Sequence, residues 1–110
     1  MTLTLYGLKN CDTCKKALKA LDAAGKSVTF VDIRADTDMA AKAPIWLAAV
    51  GADKLLNTRS TTWRGLSEAE RAGDPAALLV AHPTLAKRPV IETGAAVYVS
   101  WSKDVQAALL

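Results

Sequence analysis

Polar and apolar residues alternate along Thr2-Leu-Thr-Leu-Tyr6 and stop at Gly7, the pattern of a short strand closed by a tight turn. Over residues 12–24 the period lengthens: Cys14, Ala17, Leu18 and Leu21 recur at helical spacing as a buried stripe, while Lys15, Lys16, Lys19 and Asp22 fall on the solvent side. Asn10 is placed to cap this helix and Gly25 to end it in a left-handed conformation. Residues 27–33 are rich in β-branched side chains and apolar on both faces, which suits an interior strand covered by helices on each side. These segments make a β-α-β unit, with parallel strands and a right-handed crossover expected.

The middle of the chain changes character. Residues 39–50 are alanine-rich, with Pro44 where it begins or kinks a helix and Gly51 to end it. Asp53 can cap a short turn through Leu55 and Leu56, Ser67-x-x-Glu70 has the form of a capping box, and Asp74-Pro75 opens a helix through Leu78, Leu79 and Val80. The polar stretch 57–64 between them reads as a loop. Val90-Ile91 and Ala96-Val-Tyr-Val99 flank Thr93-Gly94 as an antiparallel hairpin, and Ser102 caps a last helix through Val105, Ala108 and Leu109.

That order, β-α-β, helical insertion, β-β-α, predicts an α/β thioredoxin-like fold with a mixed four-stranded sheet. Residues 1–110 are expected to form one domain, with 1–34 and 86–110 as its core and 37–82 as the helical insertion, which lacks a full apolar core of its own. In this fold the first helix begins at the redox site and a cis-proline opens the third strand beside it. Pro89 stands at that place.

With 110 residues the chain is long enough to bury a core without a covalent staple, so its two cysteines are not needed as one. A content of 51% hydrophobic and 23% charged residues is that of a soluble globular protein. No charge-poor run reaches the roughly 18 apolar residues of a membrane span, and no basic region followed by an apolar stretch opens the chain. The expected location is the cytoplasm, with no membrane partner. In that reducing compartment the C-x-x-C pair points to catalysis or metal binding rather than to a permanent disulfide. Structural zinc would need two further ligands and only His82 remains, so no metal is expected. The net charge of +3 is mild and the cations are scattered, which argues against direct nucleic-acid binding.

The candidate chemistry starts at Cys11, at the head of the first helix, where unpaired N–H groups and the helix dipole favour a thiolate. Lys9, Lys15 and Lys16 are close in sequence and add to that effect, while Asp12 opposes it. Cys14 has two readings: a resolving thiol close enough for a disulfide with Cys11, or an inert residue of the buried stripe. Arg88, immediately before Pro89, would stand beside the Cys11 sulfur and offer a planar cationic fork to an oxyanion or carboxylate, with a solvated strand-end arginine as the bland reading. Arg59 and Arg64 add cations in the polar stretch, Trp63 is expected to pack beneath it, and His82 reads as a helix-end residue.

Three stretches together resemble the arsenate reductase ArsC family, which includes the Spx regulators and the YffB-like reductases: Leu5-Tyr-Gly-Leu-Lys-Asn-Cys-Asp-Thr-Cys-Lys-Lys-Ala17, Leu55-Leu-Asn-Thr-Arg-Ser-Thr-Thr-Trp-Arg64, and His82-Pro83 through Lys87-Arg-Pro-Val90. The resemblance spans essentially the whole chain, and the second stretch is most similar to the YffB branch, for which glutathione-dependent thiol reduction has been proposed. It implies a small thiol-dependent oxidoreductase with Cys11 as nucleophile and Cys14 as optional resolving thiol. Asn10, Arg59, Arg64, Arg88 and Pro89 would line the anion or thiol-cosubstrate site. No tightly bound cofactor is implied; glutathione is the expected cosubstrate, and glutathione or glutaredoxin the expected partner.

Two alternatives accompany this expectation. One is a Spx-like regulator that binds the RNA polymerase alpha subunit and uses a Cys11–Cys14 disulfide as a redox switch. The other is arsenate reduction proper, in which a cysteine matching Cys11 attacks arsenate held by three arginines. Only Arg88 matches plainly: Asn57 occupies the insertion arginine's position with Arg59 two residues away, the third would fall near Ser100 or Trp101, and the histidine that assists the nucleophile is replaced by Gly7. Thiol reduction is therefore expected ahead of arsenate reduction.

Overall fold

The alternating segment at the start of the chain becomes β1 (Thr2–Gly7), on which the sheet is assembled. It pairs in parallel with β2 (Ser27–Asp32), in a register running from Thr2 with Ser27 to Gly7 with Asp32. On its other side it pairs antiparallel with β3 (Val90–Glu92), which in turn pairs antiparallel with β4 (Val97–Val99). The order β2-β1-β3-β4 is the mixed four-stranded sheet of the expected α/β, thioredoxin-like class. β2 corrects one expectation, because it lies at an edge of the sheet and not in its interior. Its run is apolar on both faces because Val28 and Phe30 pack against the helical layer while Val31 is half-buried on the opposite face; Ser27 and Thr29 are exposed.

The computed structural model describes residues 2–110, which fall into two compact units: one running through Thr37 and resuming at Arg88, the other Asp38–Lys87. In the first, α1 (Asp12–Ala23) and α7 (Lys103–Leu109) cover one face of the sheet. Leu3, Leu5 and Ile91 from the strands meet Cys14, Ala17 and Leu21 of α1 and Val105 and Leu109 of α7 in one buried cluster. Each leucine buried there stabilises the fold by about 1.5–3 kcal/mol. That seam holds α1, and the cysteines at its head, against β1. Gly25 ends α1 with φ 76°, as the sequence predicts; its N–H donates to the Asp22 carbonyl and that of Lys26 to the Leu21 carbonyl, both at 3.0 Å.

In the second unit α2 (Met39–Val50) is capped by the Asp38 carboxylate, which accepts from the Ala41 N–H at 3.3 Å. Pro44 lies inside this helix, which runs on past it to Gly51. Gly51 also starts α3 (Ala52–Leu55), so Asp53 is a first-turn residue and not the cap. The polar stretch expected to be a loop holds a helical turn, α4 (Thr61–Arg64), because the Ser60 hydroxyl accepts from the Trp63 N–H at 3.1 Å and nucleates it. The predicted capping box is present at α5 (Glu68–Arg71), with reciprocal Ser67 and Glu70 bonds of 3.1 and 2.9 Å. α6 (Pro75–Ala81) starts at its proline, ends at His82 and packs on α2. A 3-10 turn at Pro83–Leu85 follows; the Leu85 carbonyl accepts from Asn57 N–H at 2.8 Å and the Leu55 carbonyl from Lys87 N–H at 2.7 Å. Among the described residues no helix is long and apolar enough to cross a membrane.

Candidate active site

The turn after β1 is closed by the Cys11 N–H, which donates to the Leu8 carbonyl at 3.1 Å. Cys11 is itself the N-cap of α1, with extended backbone (φ −88°, ψ 117°) and a sulfur that accepts from the Cys14 N–H at 3.5 Å. Asn10, expected to be the cap, is an exposed turn residue one position too early. The sulfur therefore takes the acceptor's place at a helix N-terminus, where the dipole favours negative charge. Cys11 is half-buried and Cys14 fully buried, and no disulfide joins them.

The two thiols have opposite tendencies. Partial burial by itself would raise the Cys11 thiol. It is outweighed by hydrogen bonds from the Cys14 thiol and backbone N–H and by the hydrogen bond and charge of Arg88, so Cys11 lies below the ordinary thiol value. Cys14 is pushed up to about 12, first by its burial, then because its S–H donates to Cys11 and lies beside the negative charge there. Of the two, Cys11 gives up its proton the more readily, and Cys14 is the thiol that supports its anion. The lysines are not what produces this difference: Lys9, Lys15 and Lys16 are exposed, and the cation that acts on Cys11 is Arg88. An exposed ammonium is screened by water, whereas the half-buried guanidinium is not free to turn away.

Arg88 is held by the chain that follows it. The Arg88–Pro89 peptide is cis, Pro89 is fully buried, and the Pro89 carbonyl accepts from the Ser100 N–H at 2.8 Å. Ser100, just past β4, adopts a left-handed conformation with φ 72°. Position 7 adds a constraint that reading it as a turn glycine misses: a Cβ built on Gly7 would stand 2.5 Å from the Cys14 sulfur. Cys11, Cys14, Arg88, Pro89 and Gly7 thus belong to one unit, and Cys11, Cys14 and Arg88 act on one another directly.

Arg59 and Arg64 belong to the other unit, where both are exposed. The Asn57 side-chain oxygen accepts from the Arg59 N–H at 3.1 Å, and Arg71 donates to the Trp63 and Arg64 carbonyls at 3.2 and 3.1 Å while its guanidinium lies 5.8 Å from the Trp63 ring centre. Trp63 packs here as a platform for Arg71. Among the described residues no three His, Cys, Asp or Glu side chains are gathered as a metal ion would require.

The model of the ArsC family matches residues 6–109. The chain belongs to the ArsC family. An uncharacterised protein of Haemophilus influenzae is 39% identical over 114 residues, covering 96% of this ArsC-family chain and 97% of the relative. Among solved structures, a YffB protein superimposes with a TM-score of 0.88 at 36% identity, covering 98% of each chain. An arsenate reductase (ArsC) related protein from Brucella melitensis superimposes with a TM-score of 0.78 at 35% identity, over 98% of this chain and 93% of that one. The fold is accordingly that of the arsenate-reductase-related, thioredoxin-like proteins.

Proposed function

We propose that this ArsC-family protein is a thiol-dependent oxidoreductase in which the Cys11 thiolate attacks a disulfide, with glutathione or a substrate thiol as the partner in the resulting mixed disulfide. The observation that carries this reading is the lowered Cys11 thiol at the head of α1, facing the Cys14 S–H and the Arg88 guanidinium. A lowered thiol pKa puts more of Cys11 in the nucleophilic thiolate form at neutral pH and makes it the better leaving group when it is released. Arg88 has the chemistry to hold an anionic partner, such as the carboxylates of a glutathione-like thiol, while stabilising the thiolate before attack.

Cys14 fits the part of resolving thiol. Two of the effects that hold its proton, the hydrogen bond to Cys11 and the charge on Cys11, disappear once the Cys11 sulfur is tied up in a mixed disulfide. The second thiol becomes more acidic at the stage when it is needed. Arsenate chemistry is less well supported, because the crowding over Gly7 leaves no room for the histidine that assists the nucleophile in the arsenate reductases the chain resembles. The part assigned to Arg59, Arg64 and Asn10 in binding the anionic partner rests on the sequence resemblance.

Mass spectrometry after treatment with oxidised glutathione tests the proposal. The expected product is the Cys11–Cys14 disulfide in the native chain and a stable glutathione adduct on Cys11 in Cys14→Ala. Absence of any adduct or disulfide at Cys11 in both proteins would sink the reading.

A further inference from the structure

Gly7 ends β1 opposite Asp32, and its carbonyl accepts from the Ile33 N–H at 2.9 Å. Unlike Gly25 and Gly51 it has no positive φ, so its backbone conformation is open to any residue. The requirement for glycine comes from the space above it. A Cβ there would lie 2.5 Å from the Cys14 sulfur, 3.3 Å from the Cys14 Cβ and 3.4 Å from the Leu5 side chain. Non-bonded atoms of this size settle near 3.5–4.0 Å, so the sulfur would have to retreat by about 1 Å. The β1 backbone is the less able to yield, because it is paired with β2 along this stretch.

We propose that Gly7 is a positioning residue that makes this site a dithiol: its bare backbone is the seat of the Cys14 sulfur, and that seat keeps the second thiol within reach of the first. This rests on the reading of Cys11 as nucleophile. The Cys11 thiolate attacks one sulfur of a disulfide R–S–S–R′, forming the Cys11–S–R bond and breaking S–S, and R′–S⁻ leaves with the electron pair. Cys14 then gives its proton to the departing thiolate or to water. Its sulfur attacks that of Cys11, the Cys11–Cys14 bond forms, and R–S⁻ leaves. The disulfide substrate has been reduced by two electrons to two thiols and the cysteine pair oxidised to a disulfide, which an external thiol reductant must reduce before the next turnover. The second attack needs the Cys14 sulfur itself; the first feels its position only through the hydrogen bond that the Cys14 S–H gives Cys11, while the Cys14 backbone N–H and Arg88 continue to support the thiolate. A side chain at position 7 therefore divides the two steps, leaving Cys11 a single-thiol centre that stalls as its mixed disulfide.

The test follows both steps with oxidised glutathione in the native chain, Gly7→Ala, Cys14→Ala and the double variant. Misplacing a reacting atom by about 1 Å can cost on the order of 100-fold in rate. In Gly7→Ala the adduct on Cys11 is expected to accumulate and to resolve at least about tenfold more slowly than in the native chain, with the first attack, which loses only the support of the Cys14 S–H, slowed by a smaller factor. In Cys14→Ala, where no resolving step occurs, the added Gly7→Ala change is expected to leave the rate of the first attack unaltered. Resolution as fast in Gly7→Ala as in the native chain would overturn the proposal. Should Gly7→Ala fail to fold, removal of the sulfur in the double variant must restore folding; a double variant as unfolded as Gly7→Ala overturns the proposal equally. A native chain and a Cys14→Ala variant that both fail to react at Cys11 would instead overturn the thiol reading beneath it.

Discussion

The Cys14 N–H points at the Cys11 sulfur, 3.5 Å away, so one side chain both caps α1 and presents the nucleophile. A thiolate is a more effective acceptor here than a thiol, because the helix end favours negative charge. Capping and reactivity are thereby linked through a single atom.

That link separates two substitutions which both abolish the chemistry. Serine is among the preferred N-caps and alanine is not, and loss of a cap costs about 1 kcal/mol. Cys11→Ser is therefore expected to unfold at higher urea than Cys11→Ala, by a margin of that size, while neither variant forms an adduct with a disulfide. Equal urea midpoints would show that a side-chain acceptor at position 11 adds nothing to the stability of α1.

Arg88 lowers the Cys11 thiol through a hydrogen bond and through its charge. Removing both in Arg88→Gln should move the titration of Cys11 to higher pH, followed by thiolate absorbance or by the pH profile of alkylation. The iodoacetamide rate at pH 7 is expected to fall roughly three- to tenfold, the range for a charge-assisted hydrogen bond discounted for partial exposure. Arg88→Lys keeps the charge and loses the planar fork, so it should fall between the two. An unchanged pH profile in Arg88→Gln would remove Arg88 from the account of thiol activation.

Much of the fold was legible because the sequence carries a period for each element: two for β1, near 3.6 for α1, and cap signals for α5, α6 and α7. The edge position of β2 was not, since apolar residues on both faces look alike whether a strand is central or half-covered at an edge. Thr61-Thr-Trp-Arg64 looks irregular by propensity, and the Ser60 hydroxyl bonding the Trp63 N–H caps the helical turn that its backbone forms. At the site, the C-x-x-C spacing and the Arg-Pro pair were readable. The burial of Cys14 was readable too, from its place on the apolar stripe of α1; its approach to Gly7 was not, because that arises from the packing of α1 on β1.

Gly51 provides a test of backbone constraint in the helical unit. Its φ of 83° and ψ of 156° lie in a region open essentially to glycine alone, although no atom lies within 4 Å of where a Cβ would be. Gly51→Ala should therefore lower stability by about 1–3 kcal/mol without any clash. Gly65 is the control: with φ −78° and ordinary contacts of 3.5 and 3.6 Å at its Cβ position, Gly65→Ala should be neutral or stabilising by up to about 1 kcal/mol. Denaturant midpoints for the pair decide it, and equal effects would refute the backbone explanation.

The opposed thiols also set how the reduced protein responds to pH. Cys11 is lower in the folded chain than in the unfolded one, so its contribution is fully present above the ordinary thiol value of 9.0 and is lost as pH falls through its folded value. Cys14, pushed up to about 12, behaves in the opposite way: the folded chain keeps a proton that the unfolded chain gives up near 9.0. Its contribution is complete below that pH and drains away as pH rises towards about 12, by at most about 1.4 kcal/mol per pH unit. Other groups also titrate in this range, so the quantity to measure is the stability of the native chain minus that of Cys14→Ala, both under reductant, by urea unfolding from pH 7 to 11. The difference is expected to fall steadily above pH 9. A flat difference would mean that the Cys14 proton is not held as the buried donor to Cys11, and the division of labour between the two thiols would have to be redrawn.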